Sequence, residues 1–191
     1  MAPNWLVGDQ AALAAERILD AAGRCFASQG VPSTSIADIA REAGCSRPTI
    51  YRYFDDRQAL RLAFVHREAR RLGAEVAAGV GPIDDPAARF VDACLRALAG
   101  VRSSPTLAAW FTPGGSAIAT DMAGSSSVIE SMAGTLVGNP DGPDHRDRAR
   151  WVVRSMLSLL AMPGADQQDE RRMLERFVVP VAVISTRVRS V

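Results

Sequence analysis

The 191-residue chain contains no lysine; all 22 of its basic residues are arginine. With alanine abundant, that bias reads as GC-rich coding and assigns no function. Histidine is nearly absent. His66 lies in an arginine-dense stretch and His145 in an Asp/Pro/Gly loop, neither beside a nucleophile placed by a motif. The patterns G-x-S-x-G, H-E-x-x-H, G-x-G-x-x-G and the P-loop are all missing. The carboxylates are scattered or stand at helical spacing from arginines. The sequence does not read as an enzyme, and it implies no cofactor and no metal. Cysteine is scarce as well, at Cys25, Cys45 and Cys94. An odd number at wide spacing argues against a disulfide framework or a zinc site. All three have apolar neighbours and read as small buried hydrophobes, with a redox-sensing thiol as the alternative. No apolar run approaches the roughly 18 residues a membrane-spanning helix needs; the longest, Phe177 to Ile184, falls far short. The start of the chain lacks the basic residues of a signal peptide. A cytoplasmic protein without a membrane partner is expected. Net charge is +1, so composition does not announce a nucleic-acid ligand. Locally the picture changes: Ser46 to Phe54 holds Arg47 and Arg52 and no acid.

Apolar spacing is helical almost throughout. Ile18, Ala22 and Cys25–Phe26 mark a first helix over 11–29, closed by Gly30, with residues 1–10 expected as a disordered tail. Ser35 and Asp38 form a capping-box-like pair. Ile36, Ile39, Ala40 and Ala43 then fall on one face, and Gly44 stands where a left-handed residue is needed. Ser46 caps a short third helix from Arg47 to about Phe54, with Pro48 tolerated in its first turn. Asp55 or Asp56 opens a long fourth helix to about Ala78. Two short helices across the tight turn Ala43-Gly44-Cys45-Ser46 make a helix-turn-helix. Beyond the break at 81–86, helices are predicted over 86–99, 105–111, 116–136 and 146–162, with a loop at 138–145. A last helix opens at Asp166 or Asp169 and bends at Pro180; a strand over VVPVAVI is the alternative. The expected fold is all-α: an N-terminal three-helix DNA-binding unit over 11–56 and a helical bundle over 57–191.

In such a motif Ile50 and Phe54 face the core. Arg47, Pro48, Thr49, Tyr51 and Arg52 are left for a DNA major groove, because the N-terminal residues of the second helix lie nearest the bases. Arginine can pair with guanine O6 and N7. The tyrosine hydroxyls, Ser35 and the free N–H groups at the start of the second helix suit phosphate oxygens, and Arg57 can serve likewise. Helix-turn-helix units also occur in proteins that never touch DNA, and exposed arginines are commonly just solvated.

Residues 12 to 64 resemble the DNA-binding half of the tetracycline-repressor-like (TetR) family. The ordered set is Ile18, Ala21, Ala22, Phe26, Gly30, Thr34-Ser35-Ile36, Ile39-Ala40, Ala43-Gly44, Ser46, Thr49-Ile50-Tyr51-x-Tyr53-Phe54 and Leu60. Cys45 stands where the family usually has valine, Pro48 where it has glycine, and Arg57 where it has lysine. The resemblance implies Thr34, Ser35, Ser46, Arg47, Pro48, Thr49, Tyr51, Arg52, Tyr53 and Arg57 as the DNA-contacting set. It also implies a homodimer on double-stranded DNA with a palindromic operator, a small-molecule effector bound in the C-terminal bundle, and repression relieved by that ligand. A transcriptional activator, or a ligand-independent DNA binder with the same reading head, is the alternative. Helices 146–162 and 170–186 would form the dimer's four-helix bundle through Val153, Leu157, Leu160, Leu174, Phe177 and Val181; their apolar stripes suit that role independently. Phe90, Cys94, Trp110, Phe111, Met122, Met132, Trp151 and Met156 are candidates to line the pocket. Charges are few in the middle helices, so the expected ligand is apolar and uncharged.

Overall fold

The structure, a computed structural model, describes the backbone of residues 4–183 and the side chains of residues 10–183. Every regular element is helical, with no strand among the described residues. The first part comprises α1 (Asn4–Gln29), α2 (Ile36–Ala43), α3 (Arg47–Tyr51) and α4 (Arg57–Gly79). The second comprises α5 (Pro86–Ser103), α6 (Pro105–Ala108), a 3-10 turn (Ala109–Phe111), α7 (Ser116–Ser125), α8 (Ser127–Gly134), α9 (His145–Ala161), α10 (Gln167–Met173), a π turn (Leu174–Val178) and α11 (Val179–Ala182). No helix among the described residues is long and apolar enough to cross a membrane.

Several boundaries differ from expectation, each for a local reason. Helix α1 already runs from Asn4, so residues 4–10 are helical and not a tail; after Pro3 no proline interrupts the backbone donors until Pro32. Residues 1–3 lie outside the described residues. Helix α3 ends at Tyr51, and the chain winds on as a turn in which the amides of Tyr53 and Phe54 share the Ile50 carbonyl, at 2.9 and 3.0 Å. The expected helix over 116–136 breaks at Ser126, whose hydroxyl accepts from the Ile129 amide and caps α8. That hydroxyl also lies 2.9 Å from Nε2 of His66, which ties the break to α4.

The chain stays helical through Pro180 to Ala182, and no strand occurs among the described residues of this segment. Pro180 has no N–H, and in a regular helix its ring collides with the carbonyl four residues back. The preceding π turn widens the backbone, with the Val179 amide bonding five residues back to Leu174. The helix ends at Ala182, short of the expected 186; residues 184–186 lie outside the described residues.

Two apolar cores result. One gathers Ile18, Phe26, Ile39, Ile50, Leu60 and Phe64 with Trp110 and Met122. It crosses the expected boundary at residue 56, since α4 and the 3-10 turn complete the core of the N-terminal unit. At its centre Phe26 meets Phe64 and Trp110 edge-on, at ring-centroid distances of 5.2 and 5.3 Å, while Phe64 and Trp110 stack nearly parallel at 6.0 Å. Such aromatic pairs are favourable beyond their buried area. Helix α1 approaches closely at Gly23, where a Cβ would stand 3.0 Å from the Phe64 ring. The second core packs Phe90, Cys94 and Leu98 of α5 against Val152 and Leu159 of α9, and against Leu174 and Val178.

A polar clamp joins α5 to α10. The Arg102 guanidinium donates to both oxygens of the buried Glu170, at 2.9 and 2.6 Å, and to the Leu159 carbonyl at 2.9 Å. The Gly164 amide also donates to Glu170. These hydrogen bonds, Arg102's first, hold the Glu170 carboxyl below the usual glutamate range despite burial. The folded state therefore binds this proton less tightly than the unfolded chain does. The clamp stabilises the fold above the unfolded-state pKa, and this contribution is lost as pH falls through the folded one. Glu170→Gln is expected to lower the melting temperature at pH 7. The deficit relative to wild type shrinks as the pH is lowered through the carboxylate range; a deficit independent of pH would show that the charge plays no part.

Candidate nucleic-acid interface and ligand cavity

The helix-turn-helix is built by its caps. Ser35 accepts from the Asp38 amide while Asp38 accepts from the Ser35 amide and hydroxyl, a complete capping box. Those bonds, with the Arg41 guanidinium adding to them, hold the Asp38 carboxyl down to about 2. Gly44 turns the chain with φ +66°, a left-handed conformation that glycine takes without a side-chain penalty. The Cys45 amide then closes back on the Ala40 carbonyl at 2.9 Å. Ser46 caps α3 by accepting from the Thr49 amide, and its hydroxyl lies 2.8 Å from that of Thr49. Pro48 falls in the first turn, where no helical donor is lost.

Ile50 and Phe54 anchor α3 in the first core. The opposite side presents Arg47, Pro48, Tyr51 and Arg52 to solvent. Neither arginine forms an ion pair among the described residues, so both guanidiniums are available to an anion. Ser35 is half-buried at the start of α2, Ser46 is exposed, and Thr49 is half-buried. Tyr53 packs part of its ring on the first core.

Two members of the expected DNA-contacting set are placed otherwise. Thr34 is 1% exposed and its hydroxyl donates to the Gly30 carbonyl at 2.8 Å, so it shapes the loop and cannot reach a phosphate. Arg57 is turned onto the same loop, donating to the Pro32 carbonyl at 2.7 Å. Arg61, which the sequence reading passed over, donates to the Val31 carbonyl at 2.6 Å. Its position one helical turn after Arg57 was the available signal. Together they fasten the start of α4 to the loop that leads into α2.

Behind this head lies a cavity of about 920 Å³. Its wall comes from α4 (Leu72, Val76), α5, α8 and α9. Phe90, Cys94, Trp110, Phe111, Met132 and Met156 line it. Met122 does not: it packs into the first core. Trp151 does not either, being 45% exposed on the outer side of α9. Burial pushes the Cys94 thiol up to about 12, and burial, aided by Glu42 and Asp38, raises that of Cys25. Both thiols stay protonated, as small hydrophobes do. No cluster of histidine, cysteine and carboxylates suited to a metal occurs among the described residues.

The outer face of the C-terminal helices carries exposed apolar side chains. Phe177 (60% exposed) and Val181 stand there with Trp151, Met162 and Met173. Four other candidates for an interface point inward. Leu174 is fully buried and Val153 nearly so, both in the second core. Leu157 and Leu160 are half-buried in the cavity wall.

Residues 18–64 match the family described as bacterial regulatory proteins, tetR family. The uncharacterized HTH-type transcriptional regulator Rv1255c of Mycobacterium tuberculosis (H37Rv) is 48% identical over 181 residues, covering 93% of this chain and 90% of its own. The HTH-type transcriptional regulator AlkX of the same organism is 29% identical, covering 90% and 86%. Among solved structures, the TetR family repressor AlkX from Dietzia sp. DQ12-45-1b, implicated in biodegradation of n-alkanes, superposes with a TM-score of 0.62 at 18% identity, over 86% of this chain and 92% of that one. A full-length relative of this closeness, joined to a family match that spans the capped helix-turn-helix, leads to one conclusion: the chain belongs to the tetR family of bacterial regulatory proteins.

Proposed function

We propose that this DNA-binding transcriptional regulator is a repressor that holds a palindromic operator as a homodimer and lets go when an apolar small molecule fills the cavity. The observation that carries the reading is the double employment of α4. Its middle forms the cavity wall through Leu72 and Val76. Its start grips the Val31 and Pro32 carbonyls through Arg57 and Arg61, next to the capped start of α2. A ligand that binds better to a shifted α4 draws the head out of its DNA-binding position, because differential affinity for two states is what moves an equilibrium. A two-fold dimer matches two half-sites about one helical turn apart, or a multiple of it. The cavity's mostly apolar lining, and the n-alkane context of the Dietzia protein, favour a hydrophobic effector.

Footprinting on the DNA upstream of the protein's own gene, at two salt concentrations, tests this. Protection of a palindrome that weakens with salt is expected, since phosphate neutralisation releases counterions. On the protected fragment, Arg52→Ala is expected to lose roughly tenfold or more in affinity, about 1–3 kcal/mol for a base-reading arginine, with an unchanged melting temperature. Equal affinity in wild type and variant would remove the α3 face from the interface.

The partner surface is the exposed apolar face of α9 to α11. Phe177→Asp combined with Val181→Asp leaves both cores intact, because these side chains are largely outside them. Sedimentation is expected to report a monomer with native helicity; a persistent dimer would place the two-fold elsewhere.

A further inference from the structure

If the cavity is the effector site, as the reading above holds, its shape also specifies the class of molecule that fills it. Along α4 and its cap the lining recurs every three or four residues, at Val65, Ala69, Leu72, Val76 and Val80. Along α5 it recurs in the same way, at Pro86, Phe90, Ala93, Ala97 and Val101. Each set is one face of a helix over almost its whole run. The two helices are antiparallel and close: a Cβ on Gly100 would collide with Leu72, and one on Gly79 would stand 3.1 Å from the Arg96 guanidinium. At a rise of about 1.5 Å per residue each lining face is about 22 Å long. A volume of about 920 Å³ drawn out over that length has a mean section of about 40 Å², so the space is roughly three times as long as it is wide.

The two ends differ. Close to Val65 the wall is formed by the buried Trp110, Ala119 and Ala123. The Trp110 ring stacks on Phe64, and Ser126, just after the helix that carries Ala119 and Ala123, touches His66. At the other end Gly81, Pro86 and Arg89 are exposed. The charged residues of the wall do not break the apolar run between the ends: Glu68 is held by Arg67 at 2.9 Å, and Arg70 and Arg89 are exposed.

An extended hydrocarbon chain advances roughly 1.3 Å per carbon, the projection of a C–C bond of about 1.5 Å. We propose that the effector is an unbranched chain of about sixteen carbons, the number that spans the lining faces. Its tail lies against Trp110, Ala119 and Ala123, and its other end, with any polar group, lies at the mouth beside Pro86 and Arg89. A compact ligand of equal carbon number leaves one end of the space unfilled, and lining atoms beside a void lose their contacts.

Calorimetric titration of the full-length protein with the series from 1-octanol to 1-eicosanol, delivered from cyclodextrin complexes, reads the length directly. Affinity is expected to rise about fourfold with each methylene, as removal of a CH₂ from water gives, up to about 1-hexadecanol, and then to level off or fall. Decahydro-2-naphthol, which folds the carbon count of 1-decanol into two fused rings, is expected to bind more weakly than 1-decanol once each is corrected for its own transfer from water. Ala123→Leu, which fills the deep end, is expected to move the break to shorter chains, with a melting curve confirming the fold. A break at 1-decanol or earlier, or a fused-ring alcohol that binds as tightly as the linear one, overturns the chain assignment. A rise that continues unbroken to 1-eicosanol overturns the closed end. No binding by any of these alcohols overturns the cavity as an effector site, and this inference with it. Binding with the expected break but no loss of operator affinity leaves the chain site standing and overturns release by the ligand. The wild-type series decides the matter even if the variant does not fold.

Discussion

The packing of Phe26, Phe64 and Trp110 is the constraint on which the rest of the molecule depends. The three rings come from α1, α4 and the 3-10 turn, segments far apart in sequence. With two edge contacts and one stack, no ring can tilt without opening a gap against the other two, and interiors packed at native density do not absorb such gaps cheaply. The trio therefore sets how α1 crosses α4, and Gly23 permits the closeness of that crossing. It also explains why the N-terminal unit has no core of its own to close. Its apolar centre is completed by residues that belong, by sequence position, to the bundle.

A second, polar linkage runs beside this apolar one. Arg57 and Arg61 lie a turn apart at the start of α4 and donate to successive backbone carbonyls of the loop ahead of α2. Burial, with the neighbouring Arg57 adding to it, depresses the Arg61 pKa. Backbone carbonyls are partners that no side-chain substitution removes. The head is thus attached to α4 at two depths, by aromatic packing inside and by guanidinium groups nearer the surface. Any displacement of α4 would be carried to the helix-turn-helix by both routes.

The sequence made some elements plain and hid others, for identifiable reasons. Helix α2 was legible to the residue, because Ser35, Asp38 and Gly44 are side-chain and backbone signals confined to a few positions. The break at Ser126 was not legible, since serine neither forbids a helix nor ends one unless its hydroxyl has a partner from elsewhere in the fold. That partner, His66, is 60 residues away. Thr34 and Arg57 stand at motif positions, yet their side chains answer to a loop whose shape no local pattern reveals. Helical periodicity correctly made stripes of α9 and α10. It could not say which edge of a stripe meets the neighbouring helix and which meets open space. Leu174 and Phe177 are three residues apart, and one is fully buried while the other is exposed. Trp151 and Met122 were misplaced for the same reason.

The π turn ahead of Pro180 carries a consequence for how this chain can change length. A π turn holds one residue more than an α-helix needs for the same connection. Deleting one residue of Leu174–Val178 would restore regular winding over the same connection, leaving Val181 on the outer surface and Ala182 in the core but bringing the proline ring back against a carbonyl. A deletion elsewhere in these helices, with no extra residue to absorb it, would rotate everything after it by about 100°. The extra residue thus lets a proline stand in the helix without moving the outer face, and a relative that has lost both the residue and the proline would present the same surface.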